Sequence, residues 1–325
     1  MTPDSAAVSA FVPNGEPAAT PTDLRAALIA LVRDFSIETT VRTPNAAADC
    51  AHFLAPGTRV YISMLPGQTY QQSAALAVQL ARAGLTPVPH ITARGLVNAQ
   101  TLADFVARVH GEAGVDKVLL LGGDRAMPAG LFASSVDLLA TGVLARHGIR
   151  EVEVAGYPEG HPNIIAAELE AALQRKVALA HEQGLALGVM TQFGFHPERI
   201  AAWTRQVQAA HPGLPVAVGL AGPANVTTLL KYAVRCGVAA SVGMLGKQSG
   251  SVLRLLSEAG PEPVLQALAA QALVAQAMQL TPARFARCHL FSFGGIERTA
   301  RWARAVGAGR FELTGPDHHL SVGAA

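Results

Sequence analysis

Cysteine is scarce in this chain: Cys50, Cys236 and Cys288 are the only three among 325 residues, an odd number with no CxxC spacing. That excludes a disulfide framework and a cysteine-built zinc knuckle as the organising device. An excess of charge of one sign is also lacking. A formal net charge of +2, with four tyrosines not interleaved with basic patches, gives no reason to expect a nucleic-acid groove. No run of 18 uncharged apolar residues occurs, because the Ala- and Leu-rich stretches are broken by Gln, Arg, His or Gly. No membrane span is expected, and the protein is expected to be soluble and cytoplasmic. The first 24 residues lack a basic segment followed by an apolar core, the pattern of a secretory leader. Several reaction signatures are missing too: the phosphate loop GxxxxGKS/T, the hydrolase elbow GxSxG and the zinc helix HExxH, while GGDRAMPAG matches a dinucleotide turn poorly. His90, His161, His196 and His289 show no close ligand spacing, so no metal is expected.

What is present is an apolar, glycine- and proline-punctuated chain, half hydrophobic, with 31 Gly and 20 Pro. The Pro-, Ala-, Ser- and Thr-rich segment 1–24 reads as a flexible arm, and 25–325 as one domain, since no low-complexity tract or polar linker divides it. Eight short β-branched or apolar runs recur: FSIETT (35–40), RVYISML (59–65), PVPHIT (87–92), KVLLLGGD (117–124), EVEVAGY (151–157), LALGVMTQF (185–193), PVAVGLAG (215–222) and HLFSFGG (289–295). Ala- and Leu-rich helical stretches follow them, such as QQSAALAVQLARAG, which should stop at Gly84. The interval from Gly222 to Arg287 is long enough for two or more helices, one opened by Asn225 as a cap. The pattern predicts an α/β fold, a (βα)8 TIM barrel with additional helices between strands seven and eight. A doubly wound open sheet, with strands likewise covered on both faces, gives the same signal.

In a barrel the carboxyl ends of all strands share one mouth. Near those ends lie Glu38, His90, Asp124, the group Tyr157, Glu159 and His161, and Gln192. Glu38, beside Phe35 and Ile37, is placed to have its pKa raised by a partly apolar pocket and to deliver a proton; a solvent-facing glutamate is the plain alternative. Asp124, after LLLGG, is either a ligand contact or a turn and cap residue. His90 is either a cofactor contact or bonded to a loop carbonyl. Gln192 can read a heterocycle edge or cap a loop. Arg175 and Lys176 can meet a phosphate or simply face water.

Taken in order, SIETT (36–40), PHIT (89–92), LLLGGD (119–124), AGYPEGHP (155–162), QRKV (174–177) and TQFGF (191–195) resemble the catalytic barrel of methylenetetrahydrofolate reductases. AGYPEGHP is the most specific of these. The resemblance implies a flavoprotein that takes a hydride from NADH or NADPH through FAD and reduces 5,10-methylenetetrahydrofolate to 5-methyltetrahydrofolate. It implies Glu38 as general acid, Asp124 as an electrostatic modulator near flavin and folate, and Gln192 as a folate contact. His90 and Tyr157 would lie beside the flavin, with Arg175 and Lys176 near its phosphates.

The chain departs from the family pattern around that cofactor. Thr39 to Arg42 stand where a Phe-Pro-Pro segment is usual, and Gly122 and Gly123 precede Asp124 where an Arg-Gly pair is usual. Phe132 replaces a tyrosine, Met64 a threonine, and Leu169 and Ala172 an acid and an amide, while the folate-stacking phenylalanine has no match near Val226. Each lost partner costs roughly 0.5 to 1.5 kcal/mol, so weakened FAD binding is expected. The expected function is a folate reductase of one-carbon metabolism and methionine biosynthesis, with tetrahydrofolate as partner molecule and room for a homo-oligomer. The alternatives are a non-redox folate-binding or accessory protein, a flavin-independent folate reductase, or another flavin-barrel oxidoreductase.

Overall fold

Each of the eight apolar runs forms a strand. They are β1 (Ser36–Thr40), β2 (Arg59–Ser63), β3 (Thr86–Thr92), β4 (Lys117–Leu121), β5 (Glu151–Gly156), β6 (Ala186–Thr191), β7 (Val216–Ala221) and β8 (Arg287–Phe291). All neighbours pair in parallel, and β8 pairs back onto β1 through Ser36 with His289 and Ile37 with Leu290, closing the barrel. The open sheet is therefore excluded. The computed structural model describes residues 20–236, 238, 260–315 and 318–323. Most of the expected arm, 1–19, lies outside these residues.

The helices of the outer layer are α1 (Pro21–Arg33), α2 (Ala46–Phe53), α3 (Tyr70–Arg82), α4 (Ala99–Ala113), α5 (Ser135–Ala140), α6 (Val143–Arg146), α7 (Ala166–Glu182), α8 (Pro197–Ala210), α9 (Val226–Arg235), α10 (Glu262–Ala277) and α11 (Ile296–Gly307). Two of them, α9 and α10, fall between β7 and β8, where additional helices were expected. Asn225 caps α9 by accepting the Thr228 N–H at 2.8 Å. Gly84 lies just past the end of α3 with φ +77°. One boundary differs: α1 starts at Pro21, so residues 21–24 form its first turn instead of an arm. Thr20 accepts the Asp23 N–H and proline occupies the first turn, where its missing N–H costs nothing. Leu28 and Val32 of α1 are buried, and the helix packs against α10 and α11. A short antiparallel hairpin, β9 (Glu312–Thr314) and β10 (His319–Ser321), follows and was not predicted.

Strand alternation sorts the side chains into two layers. Ile37, Val60, Ile62, Ile91, Val118, Leu120, Val152, Val154, Val189, Val216, Val218 and Leu290 pack outward into the helical shell. Tyr61, Val88, Leu119, Met190 and Ala217 meet in the barrel interior. Barrel interiors are usually filled by branched apolar side chains. Here the interior also holds buried Ser36, His90, Glu153, Arg287 and His289.

Candidate active site at the carboxyl ends of the strands

The polar interior starts near the amino ends of the strands. Glu153 of β5 accepts the Tyr61 hydroxyl at 2.5 Å, pairs with Lys117 at 3.1 Å, and bonds the Arg287 guanidinium. Burial alone would raise the Glu153 pKa, but Arg287 and Lys117 pull it down to about 2. Arg287 also donates to the Tyr61 oxygen at 2.6 Å and, through Nε, to the Ser36 hydroxyl at 3.3 Å. Ser36 in turn lies 3.0 Å from Nδ1 of the fully buried His289. Edge contacts of Tyr61 with His289 and His90 fill the space between.

One layer higher, His289 and His90 face Glu38. Their Nε2 atoms are 3.6 Å and 3.8 Å from its Oε2, while Ser63 donates to its Oε1 at 2.6 Å. The Glu38 side chain retains 19% exposure, so it is open to the mouth on one side. Burial acts to raise its pKa, as anticipated from the sequence. The His289 contact, the charge of His90 and the Ser63 hydrogen bond together outweigh burial, and the net shift is below the ordinary carboxylate value. The raised pKa expected from the sequence is thus reversed, because its donors were not legible. Burial pushes His90 down to about 4, which leaves its imidazole neutral near pH 7. His90, expected beside a flavin, is buried within the barrel and turned toward Glu38.

The remaining candidates ring the mouth. Asp124, three residues past β4, is exposed and has no hydrogen-bond partner among the described residues. It acts electrostatically on half-buried Tyr157, whose pKa is raised by burial and then by the Asp124 charge. Gln192 follows β6; its backbone N–H donates to Gly156 at 2.8 Å and its Oε1 accepts the Phe193 N–H at 3.1 Å. Its amide nitrogen has no protein partner among the described residues. Starting beside Gln192 is an aromatic cluster: Phe293 stacks on Tyr232 with centroids 4.1 Å apart, and Phe291 and Phe193 pack beside it. Cys236, at the end of α9, feels the charges of Glu38 and Asp124 and is pushed up to about 11, chiefly by burial.

Arg175 and Lys176 are not brought to this centre. They lie in the middle of α7, about 14 Å along the helix from its mouth end at 1.5 Å per residue. Arg175 is exposed. Lys176 is half-buried without an ion-pair partner among the described residues, and burial lowers its pKa to about 8.

Two further residues organise the loops around the mouth, and of these Arg94 was not singled out from the sequence. Glu159, from the loop after β5, accepts the N–H groups of Phe195 and His196 at 2.6 Å and 2.9 Å, and a Cβ on Gly194 would lie 2.3 Å from its oxygen. Arg94, after β3, donates to the carbonyls of Arg125, Ala126 and Ala133, so it shapes the loop carrying Asp124. In that loop a Cβ on Gly130 would collide with the Val97 carbonyl at 1.7 Å. Phe132, at the position of the family's tyrosine, is buried in the outer core and offers no hydroxyl to the mouth. Among the described residues no group of three His, Cys, Asp or Glu side chains is placed to hold a metal, and no helix is long and apolar enough to cross a membrane.

Residues 60–244, more than half of the chain, match the family model described as methylenetetrahydrofolate reductase. The chain belongs to the methylenetetrahydrofolate reductase family. The reductase match runs from β2 past α9 and includes His90, Asp124, Tyr157, Arg175, Lys176 and Gln192; Glu38 and His289 lie on either side of it. Among solved structures, two of dihydropteroate synthase from Thermus thermophilus are similar in fold. The one in complex with 6HMPPP has 15% identity and a TM-score of 0.48, and the other 14% and 0.44, each covering 85% of this reductase-family chain and 92% of its own.

Proposed function

We propose that this barrel is an NAD(P)H-dependent oxidoreductase that reduces 5,10-methylenetetrahydrofolate to 5-methyltetrahydrofolate, with Glu38 as proton donor. The observation that carries the reading is a glutamate held from β2, β3 and β8 at the barrel mouth, open on one side, within a family whose name states this reaction. The reaction needs three things at one carbon. The bond from the methylene carbon to the departing nitrogen breaks, that nitrogen takes a proton, and a hydride adds to the carbon while the nicotinamide is oxidised. Glu38 supplies the proton. Asp124, unpaired among the described residues and just past the end of β4, stabilises the positive iminium that forms when the bridge opens. The amide nitrogen of Gln192, unpaired among the described residues, is a donor for the folate ring, and the aromatic cluster of Phe291 and Phe293 supplies flat apolar area.

FAD is what the family resemblance implies, and the side chains present do not fit a tightly held FAD. Gly122 and Gly123 carry no side chain to reach it, Phe132 is turned into the core, and His90 is committed to the interior. Half-buried Lys176, unpaired among the described residues, favours a phosphate, and it serves the diphosphate of a nicotinamide dinucleotide equally well. In this reading the reduced nicotinamide is the hydride source and meets the folate at the mouth.

The test is anaerobic stopped-flow absorbance on the purified protein, with and without added FAD, mixing first with NADH or NADPH and then with the folate. Nicotinamide oxidation should require the folate and be indifferent to FAD. Glu38→Gln should lower kcat about 10²- to 10⁴-fold with little change in KM. Absence of turnover in both directions at saturating substrates would sink the reading; folate binding without turnover would leave a binding protein.

A further inference from the structure

The interior places a histidine directly beneath the proposed acid, and the hydrogen-bond chemistry around it leaves little freedom. Arg287 can only donate, and its Nε–H points at the Ser36 oxygen. With that oxygen accepting, the hydroxyl hydrogen of buried Ser36 needs an acceptor, and Nδ1 of His289 lies 3.0 Å away. Neutral His289 then carries its proton on Nε2, 3.6 Å from Oε2 of Glu38. That Nε2 is buried and has no partner within hydrogen-bond distance among the described residues, so the Glu38 carboxylate, a short shift away, is the acceptor it faces. We infer that His289, clamped from below by Ser36 and Arg287, is the positioning residue of the proton donor: it aims the Glu38 carboxyl and sets the pH above which donation fails.

Ser63 complements it. Its single hydroxyl hydrogen has two acceptors, Oε1 of Glu38 at 2.6 Å and the Thr39 carbonyl at 3.0 Å. When Glu38 is ionised Ser63 donates to it. When Glu38 is protonated Ser63 turns to Thr39 and accepts from the acid, so neither state strands a buried polar group. Other titratable groups also face the pair: His90 from β3, Tyr61 from β2, Glu153 from β5, and Asp124 and Cys236 at the mouth. Among them, His289 is tied by the clamp to one donor orientation.

This inference rests on the proposed role of Glu38, and its test has a readout that does not need turnover. The protein is labelled at the glutamate side-chain carboxyl with ¹³C, and the Glu38 resonance is assigned by its loss in Glu38→Gln and titrated. His289→Leu removes the donor and should raise the Glu38 midpoint by roughly one pH unit. His289→Gln keeps an N–H and should bring it back toward wild type. The high-pH limb of kcat/KM should move with the midpoint, and the Leu variant should lose about 10- to 100-fold in maximal rate through misaiming. A folded His289→Leu protein with an unmoved midpoint overturns the inference, as does a rate loss without a limb shift. Should the Leu variant fail to fold, Ser36→Ala decides: it frees the tautomer, and a wild-type midpoint there overturns the clamp. If wild type does not reduce the folate yet the midpoints move as stated, the functional reading falls and the positioning stands.

Discussion

Glu38 sits between hydrogen-bond donors that favour its carboxylate, yet the proposed reaction needs its acid form. The two demands are reconciled by occupancy. Its one open side faces the mouth, and a folate ring seated there displaces water, adding to the upward pull of burial while the donors below stay fixed. Because kcat/KM reports the free enzyme and kcat the complex, the high-pH limb of kcat should lie above that of kcat/KM, by on the order of one pH unit. Steady-state profiles with the folate as varied substrate check this; coincident limbs would mean that the substrate does not cover Glu38. The carboxyl was legible in the sequence because it ends an apolar strand. Its donors were not, since Ser63 and His289 are 25 and 251 positions away in the chain and only barrel closure brings them together. Reading burial without them gave the wrong sign for the pKa shift.

Among the elements, the strands were the most legible, because each is a short apolar run ended by Gly, Pro or a polar cluster, and sequence order is also barrel order. The first helix was misjudged at its start: a Pro- and Thr-rich composition hid the cap formed by Thr20, Pro21 and Asp23. AGYPEGHP was legible as a loop at the exit of β5, and its glutamate proves to be a fastener between loops. Glu159 takes two backbone N–H groups at the start of α8, so it fixes the segment carrying Gln192, Phe193 and Phe195. Glu159→Ala leaves both donors unmatched and should cost roughly 2 to 4 kcal/mol, measured by denaturant unfolding. The KM for the folate should rise several-fold, with the pH limbs unmoved because Glu38 keeps its partners. Glu159→Gln retains a carbonyl acceptor and should recover part of both losses. An Ala variant as stable as wild type would show that the loops are held elsewhere.

Across the whole molecule, the feature a sequence reading could least supply is the polar interior. Parity along EVEV already implies that Val152 and Val154 share one face of β5 and Glu151 and Glu153 the other, but which strands face Glu153 depends on the stagger of all eight. The structure supplies Lys117, Tyr61 and Arg287, three residues from β4, β2 and β8, and so ties the barrel across its width. Glu153 has a folded pKa of about 2 against an ordinary 4.5. A depressed carboxylate pKa stabilises the fold above the ordinary value and loses that contribution as pH falls through the folded one. The contribution is on the order of 3 kcal/mol, present near neutrality and lost between about pH 5 and pH 2. Glu153→Gln removes that proton linkage while leaving Arg287 and Lys117 buried without their partner, so it should be less stable at pH 7 by a similar amount or more. Its stability should also fall less steeply with acid, and the two curves should converge toward pH 2. Thermal melts of wild type and variant from pH 7 to pH 2 measure this. Parallel curves would mean that the Glu153 carboxyl titrates alike in the folded and unfolded chain, so that its contacts with Arg287 and Lys117 favour the carboxylate by no net amount.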